Sequence, residues 1–357
     1  MSSSTAQQEM DRARDWVAQA FAAPTDCTGG ALPFSFRYAE QDLSATRGRW
    51  QESRSELEAG ERTQRQTLTL THPATGLECR CEITTFADYP VVEWVLYLRN
   101  TGPEPTPILA DLLPLDVTLP LAKDKSCRVH HALGSECFYG GMAAISTEVQ
   151  YSNFAPQETV LGADQELRIA SIGGRSSHGA LPFFNLECDS TGVIGAIGWT
   201  GDWAATFQRR AEGVHLRAGM QRTHLRLLPG EEIRTPRILL LFWRGNRLRG
   251  HNLLRQLILA HHTPRPNGEL LRVPVSDISW GERTCDQHIA KARWLRENDL
   301  DVDCYWVDAG WYGDAPFRPG GSVADSAWFT SVGNWWPNRE TYPGGLAPLG
   351  DAVRALG

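Results

Sequence analysis

The stretch Tyr305-Trp-Val-Asp-Ala-Gly-Trp311 joins three residue types that can hold a sugar. The carboxylate of Asp308 can accept hydrogen bonds from hydroxyl groups, each worth roughly 1.5–3 kcal/mol when charge-assisted. The glycine lets the chain turn, and Trp311 brings a flat apolar face that can cover the C–H side of a pyranose. Downstream, Trp328, Gly333-Asn-Trp-Trp-Pro337 and Tyr342-Pro-Gly-Gly-Leu346 crowd aromatic rings into a long irregular segment, the kind that is more often functional than idle. Asn334 adds a donor and an acceptor, and neighbouring Trp335 and Trp336 cannot both point into one core. Trp280, in Ile278-Ser-Trp-Gly281, is expected beside Asp308. Trp199 and Trp203 lie in Ile197-Gly-Trp-Thr-Gly-Asp-Trp203, where they either cover a site on an adjoining domain or fill a core. The plainer alternatives are that Asp308 caps its turn, Trp311 plugs a rim and the loop aromatics brace their own loop.

These residues need elements to carry them. From about residue 30 to 245 the pattern is that of β structure. Leu77-Glu-Cys-Arg-Cys-Glu-Ile83 alternates apolar and polar positions, as a half-buried antiparallel strand does, and Val91–Arg99 reads as a more central one. Further strands are expected at 65–71, 128–133, 193–199, 213–219, 222–228 and 233–243, separated by turns such as Asn100-Thr-Gly-Pro103 and Leu228-Pro-Gly-Glu231. Short strands without intervening helices predict a large antiparallel sandwich. The grammar then changes. An amphipathic helix over 249–262 ends at Thr263-Pro264, and a strand at 272–280 follows a Pro/Gly-rich bridge. A helix over 285–298 opens with Thr284 and Gln287 in a capping-box arrangement. A strand at 300–308, a long loop and a helix over 346–356 complete the βαβ pattern of a parallel sheet. From Val273 onward there are about 85 residues, whereas a (β/α)8 barrel takes ~250. The chain is therefore read as ending inside its second domain. The expected organisation is a helical extension over 1–22, a β domain over 23–246, a linker helix and bridge over 247–271, and the start of a barrel over 272–357.

Composition narrows the functional classes. Among 357 residues, 35 Lys and Arg stand against 42 Asp and Glu, for a net charge of −7. That balance argues against a nucleic-acid partner, which calls for a basic face. No apolar run reaches the ~18–20 residues that cross a bilayer. The N-terminus shows neither a charged n-region nor an apolar h-region, so a cytoplasmic location is expected, with a short amphipathic helix over 9–21 in its place. The eight cysteines form no CxxC. Cys79 and Cys81 share one strand face as core residues, and reduced thiols are expected throughout. The pairs His130-His131 and His261-His262 point in divergent directions and suggest no metal site. No phosphate loop or nucleophile elbow is present, and no cofactor is expected.

Taken in order, Leu181–Asn185, Gly198–Trp203, Trp306–Trp311 and Gly333–Leu346, supported by Leu228-Pro-Gly-Glu231 and Thr235-Pro236, make the chain resemble glycoside hydrolase family 36, the bacterial α-galactosidase type of the melibiase clan. The resemblance implies an N-terminal antiparallel β-supersandwich followed by the first two βα units of a (β/α)8 barrel. It implies hydrolysis of terminal α-galactosides with retention, which needs a nucleophile and an acid/base ~5–5.5 Å apart. The family carries these on its fourth and sixth barrel strands, so both catalytic residues are expected beyond Gly357. It places Asp308, Trp311, Trp280, Trp203 and Trp199 about the substrate, beside the loop candidates Asn334 and Trp335, and it allows a homo-oligomer. The family commonly shows Asp-Asp-Gly-Trp where this chain has Asp308-Ala309-Gly310-Trp311. The missing second carboxylate opens two alternatives, another α-linked sugar such as N-acetylgalactosamine or a non-catalytic carbohydrate-binding protein. The purified 357-residue chain is expected to give no turnover of a nitrophenyl α-galactoside; measurable hydrolysis overturns the reading that its catalytic pair lies elsewhere.

Overall fold

A computed structural model describes residues 4–23, 31–121, 125–134, 155–281, 283–316 and 330–357. Trp328, Cys27 and Cys137 lie outside the described residues. The chain divides into two compact units, Met1–His262 and Thr263–Gly357.

The first unit is built around the strand Val91–Asn100, whose residues are buried at nearly every position. Such a strand must be covered on both faces. It sits within a ten-stranded sheet, counted among the described residues. In spatial order its strands are Pro156–Val160, Arg128–Ala132, Phe183–Cys188, Thr191–Gly198, Arg237–Arg244, Val91–Asn100, Leu77–Phe86, Thr63–Thr71 and Gln51–Ala59, with Glu232–Arg234 also paired to Val91–Asn100. Every pairing is antiparallel. A second antiparallel sheet holds Glu166–Ala170, Trp203–Arg210, Gly213–Met220 and Leu115–Pro120. A third joins Ser35–Tyr38, Gln41–Asp42, Leu109–Leu113 and His224–Leu225.

One continuous core lies between the sheets. Leu68, Leu70, Cys79, Cys81, Trp94, Leu96 and Leu98 from the large sheet meet Phe207, Val214 and Leu216 from the second. Phe184 and Phe207 touch edge to face across it, 4.8 Å between ring centres. The alternation in Leu77–Ile83 thus buries both cysteines on one face. The helix Thr5–Ala20, N-capped by the Ser4 hydroxyl, adds Trp16, which stacks on Trp94 at 5.7 Å. The Trp94 indole N–H donates to the Pro114 carbonyl at 2.6 Å. Glu9, buried on the same helix, accepts the Arg249 guanidinium at 2.7 and 2.9 Å and the Arg244 amide at 2.8 Å. A buried carboxylate needs that degree of pairing.

The other face of the large sheet is covered by the helix Arg247–Leu257, where Leu253, Leu254 and Leu257 pack on Ile194, Leu239, Leu241 and Trp243. This explains the unbroken apolar run of Arg237–Arg244. The expected strand at 233–243 is in fact two, Glu232–Arg234 and Arg237–Arg244. Pro236 has no N–H for the ladder, and Thr235 turns its hydroxyl to accept the Leu96 amide at 3.1 Å. The expected strand at 222–228 shrinks to His224–Leu225. The helix expected to reach residue 262 ends at Leu257 and continues as a π-helical turn over Ile258–His262.

The second unit pairs two short parallel strands, Ser276–Ser279 and Cys304–Val307. Both are shorter than expected; Pro274, which donates no hydrogen bond, precedes the first. The helix Cys285–Glu297 connects them, and its capping box is formed in full by Thr284 and Gln287. The helix Ala347–Ala355 follows the long loop, and Leu349 packs with Cys285 and Tyr342. Among the described residues no helix is long and apolar enough to cross a membrane.

The two histidine pairs diverge. His130 meets Glu187 at 2.6 Å and His131 meets Thr159 at 3.4 Å, while His261 contacts Asp88 at 3.0 Å and His262 contacts Glu93 at 2.6 Å. Pairing with the Glu93 carboxylate outweighs burial and raises the His262 pKa above its ordinary value. A raised folded-state value means the contact stabilises fully below the unfolded pKa and fades as pH climbs through the folded one. The Tm advantage of the wild-type chain over His262→Gln is therefore expected to be larger at about pH 6 than at about pH 8; thermal melts at both pH values check the sign.

Candidate functional site

The ends of the two parallel strands lie side by side. The Asp308 amide donates to the Ser279 carbonyl at 2.8 Å, and the Gly281 amide donates to the Ala309 carbonyl at 2.9 Å, so pairing runs past both strands. A Cβ at Gly281 would sit 2.2 Å from the Asp308 carbonyl oxygen and 2.7 Å from that of Ala309. No side chain fits there. Gly310 then takes φ = 95°, the left-handed region that turns the chain toward Trp311.

Alternation along the strands separates their faces. Tyr305 and Val307 stand with Ser279 on the side of the Cys285–Glu297 helix, while Ile278 and Trp306 occupy the other, exposed at 60% and 55%. Trp280 and Asp308 continue the phase of Ile278 and Trp306. By this alternation Trp280 and Asp308, both half-buried, come next on that side at the ends of two neighbouring strands. Asp308 is half-buried, and one of its oxygens accepts the Ala309 amide at 2.7 Å. The turn-capping contact thus exists, and it uses one of two oxygens.

The loop aromatics form a linked group. Trp311 is half-buried, edge to face with Tyr312 at 5.3 Å and 6.5 Å from Trp335. Trp335 meets Tyr312 edge to face at 4.9 Å and is 63% exposed. Trp336 diverges, its N–H donating to Asp314 at 3.2 Å. Asn334, half-buried, makes the turn between them: its amide donates to the Ser331 carbonyl and its carbonyl accepts from Trp336, both at 3.0 Å.

Residues outside the expected set hold this arrangement. Tyr342, wholly buried, donates its hydroxyl to the Gly281 carbonyl at 2.9 Å. Buried Asn338 accepts from the amides of Glu340 and Thr341 at 3.0 and 3.1 Å and donates to the Ala315 carbonyl at 2.8 Å, tying the long loop to the segment after Trp311. Beneath them His288 stacks on Tyr342 at 6.0 Å and hydrogen-bonds the Tyr305 hydroxyl at 2.9 Å. Burial, followed by nearby Arg283 and Lys291, lowers its pKa to about 4, so it is neutral near pH 7. Lys291 braces the first strand through Asp277 at 2.7 Å and the Ser279 hydroxyl at 2.6 Å. The tyrosine in Tyr342-Pro-Gly-Gly was visible in the sequence, but its partner 61 residues away was not.

Asp308, Trp280, Trp311, Asn334 and Trp335 all belong to the Thr263–Gly357 unit. Trp199 and Trp203 belong to the other. Trp203 is fully enclosed in the sandwich core, its N–H donating to the Ser176 carbonyl at 2.6 Å, so its ring has no face turned toward a ligand. Trp199 is half-buried, packed against that core with the Arg234 guanidinium 6.0 Å from its ring. Among the described residues no three His, Cys, Asp or Glu side chains gather as they would around a metal ion.

No protein-family model matches the sequence, and no curated protein does. Solved structures match in fold. The family 36 α-galactosidase AgaA of Geobacillus stearothermophilus aligns with a TM-score of 0.63 at 18% identity, over 91% of this chain and 44% of its own. A variant of AgaA in complex with raffinose gives 0.63 at 18%, over 92% and 45%. The α-galactosidase of Lactobacillus brevis gives 0.63 at 14%, likewise over 92% and 45%. The chain thus spans less than half the length of these structures. At such identities the likeness is one of architecture: the chain has the fold of the N-terminal part of the family 36 α-galactosidases.

Proposed function

We propose that this chain is the sugar-recognising N-terminal part of a retaining exo-glycosidase acting on terminal α-galactosides, with the Thr263–Gly357 unit as the start of a (β/α)8 barrel. The observation that carries the reading is the pairing of Asp308 and Trp280 at adjacent ends of two parallel strands, on a face that is otherwise open and apolar. In a βα barrel the C-terminal strand ends are where ligands bind. The exposed Ile278 and Trp306 are the side chains that such a barrel would enclose.

In this reading Asp308 accepts hydrogen bonds from sugar hydroxyls through the oxygen not engaged with Ala309. Trp280 and Trp311 cover apolar sugar faces, and Asn334 and Trp335 border the opening. Trp199 offers a half-exposed ring on the β domain, and Trp203 supports that domain from its core. Asp308 is a recognition group and not a nucleophile. The AgaA variant solved with raffinose supports galactose-ended oligosaccharides as the substrate class. The reading includes the organisation expected from the sequence, a cytoplasmic location and the option of a homo-oligomer.

Ala309 favours a second sugar. Its methyl group stands where the family commonly has a carboxylate, which removes one acceptor for a hydroxyl and leaves room for a bulkier substituent. An α-linked N-acetylgalactosamine is the alternative substrate.

In the complete gene product, Asp308→Ala is expected to lower kcat/KM for an aryl α-galactoside roughly 100-fold, the worth of one or two charge-assisted hydrogen bonds, with the fold left intact. Unchanged kinetics make Asp308 a turn cap and nothing more. On a panel of aryl glycosides, preference for the N-acetyl-α-galactosaminide decides for the second sugar. Turnover of neither removes the enzymatic reading.

A further inference from the structure

Cys127 and Cys188 stand opposite each other where two antiparallel strands of the large sheet meet, Cys127 just before Arg128–Ala132 and Cys188 at the end of Phe183–Cys188. The register that pairs Asn185 with His130, Leu186 with Val129 and Glu187 with Arg128 brings them together at the next position. Their sulfurs are 3.7 Å apart. Directly opposed residues of an antiparallel pair have Cα atoms about 4.5–5.5 Å apart, within the span that a disulfide bridges. Closing the sulfurs to about 2.05 Å asks for a small side-chain rotation.

The two thiols differ in access. Cys127 is wholly buried, whereas Cys188 is half-buried and lines a cavity of about 260 Å³ with Arg12, Lys125, Asp189 and Thr191. We propose that Cys127 and Cys188 form a thiol–disulfide exchange site, at which a low-molecular-weight disulfide such as oxidised glutathione closes a reversible bond between the two strands.

The electrostatics give each sulfur its part. The hydrogen bond with Cys127, and then the positive charges of Arg12 and Arg209, lower the Cys188 pKa, and the same contact raises that of Cys127. The Cys188 thiolate attacks one sulfur of oxidised glutathione, forms a mixed disulfide and expels a glutathione thiolate. The Cys127 thiol then passes its proton to the expelled glutathione thiolate and attacks the Cys188 sulfur, expelling the second glutathione as a thiolate that takes up the proton Cys188 had released. Two protein thiols are oxidised and one glutathione disulfide is reduced to two thiols. Cys79 and Cys81 are unsuited to this, because complete burial raises both, Cys79 to about 12.

The test is incubation of the full 357-residue chain with oxidised glutathione at mildly alkaline pH, followed by non-reducing peptide mapping and a thermal melt. The exposed Cys304 serves as the control, since it should take up a glutathionyl group in every variant and so report that the reagent acted. The expected product is a Cys127–Cys188 cross-linked peptide lacking two hydrogens, with Tm raised by several degrees and restored by dithiothreitol. Cys127→Ser should instead trap a glutathionyl group on Cys188, and Cys188→Ser should leave Cys127 a free thiol. Glutathionylation of Cys304 with Cys127 and Cys188 both still thiols overturns the proposal. So does pairing of either one with Cys27 or Cys137.

Discussion

The second unit depends on the close approach of two backbones at Gly281. The amides of Asp308 and Gly281 each find a carbonyl on the other chain, and the space between leaves no room for a Cβ. Because of that contact, Trp280 and Asp308 end side by side instead of diverging into separate loops. Tyr342 fixes the contact from beneath through the Gly281 carbonyl, and Tyr342 is in turn packed on His288, Cys285 and Leu349. The neutral state of His288 suits its place in an apolar support. A small glycine, a buried tyrosine and a helix face thus set the position of one carboxylate.

The first unit solves a different problem. Its large sheet needs cover on both faces, and the cover comes from the second sheet on one side and the helix Arg247–Leu257 on the other. The N-terminal helix is locked in by Trp16 on Trp94 and by Glu9 on Arg249, a residue of that covering helix. Chain segments about 240 residues apart therefore share one buried ion pair, with the carboxylate enclosed and the guanidinium partly exposed.

Features with a local cause were legible in the sequence. The alternation of Leu77–Ile83, the capping box at Thr284 and Gln287, and the Asp-Ala-Gly-Trp turn at a strand end all follow from spacing within a few residues. The same local spacing singles out Asp308 as a candidate carboxylate and Trp280 as its indole neighbour. What escaped depends on partners remote along the chain. Trp203 and Trp199 read alike in a Gly-rich stretch, yet only packing decides that one is enclosed and the other half-open. Asn338 and Tyr342 look like ordinary loop residues until their acceptors at Ala315 and Gly281 are known. The opposition of Cys127 and Cys188 requires the strand register, which no count along the sequence supplies. Pro236 was a visible signal for splitting the 233–243 strand, since it cannot donate to a ladder.

In the proposed function the Asp308 carboxylate, placed beside Trp280 by the paired strand ends, holds a saccharide. The most direct measurement is a crystal structure of the complete protein with a bound α-galactoside. The expected result is an Asp308 oxygen about 2.6–3.0 Å from a sugar hydroxyl, with the Trp280 or Trp311 ring against the sugar. A sugar bound in that crystal with Asp308 turned only to the Ala309 amide contradicts it.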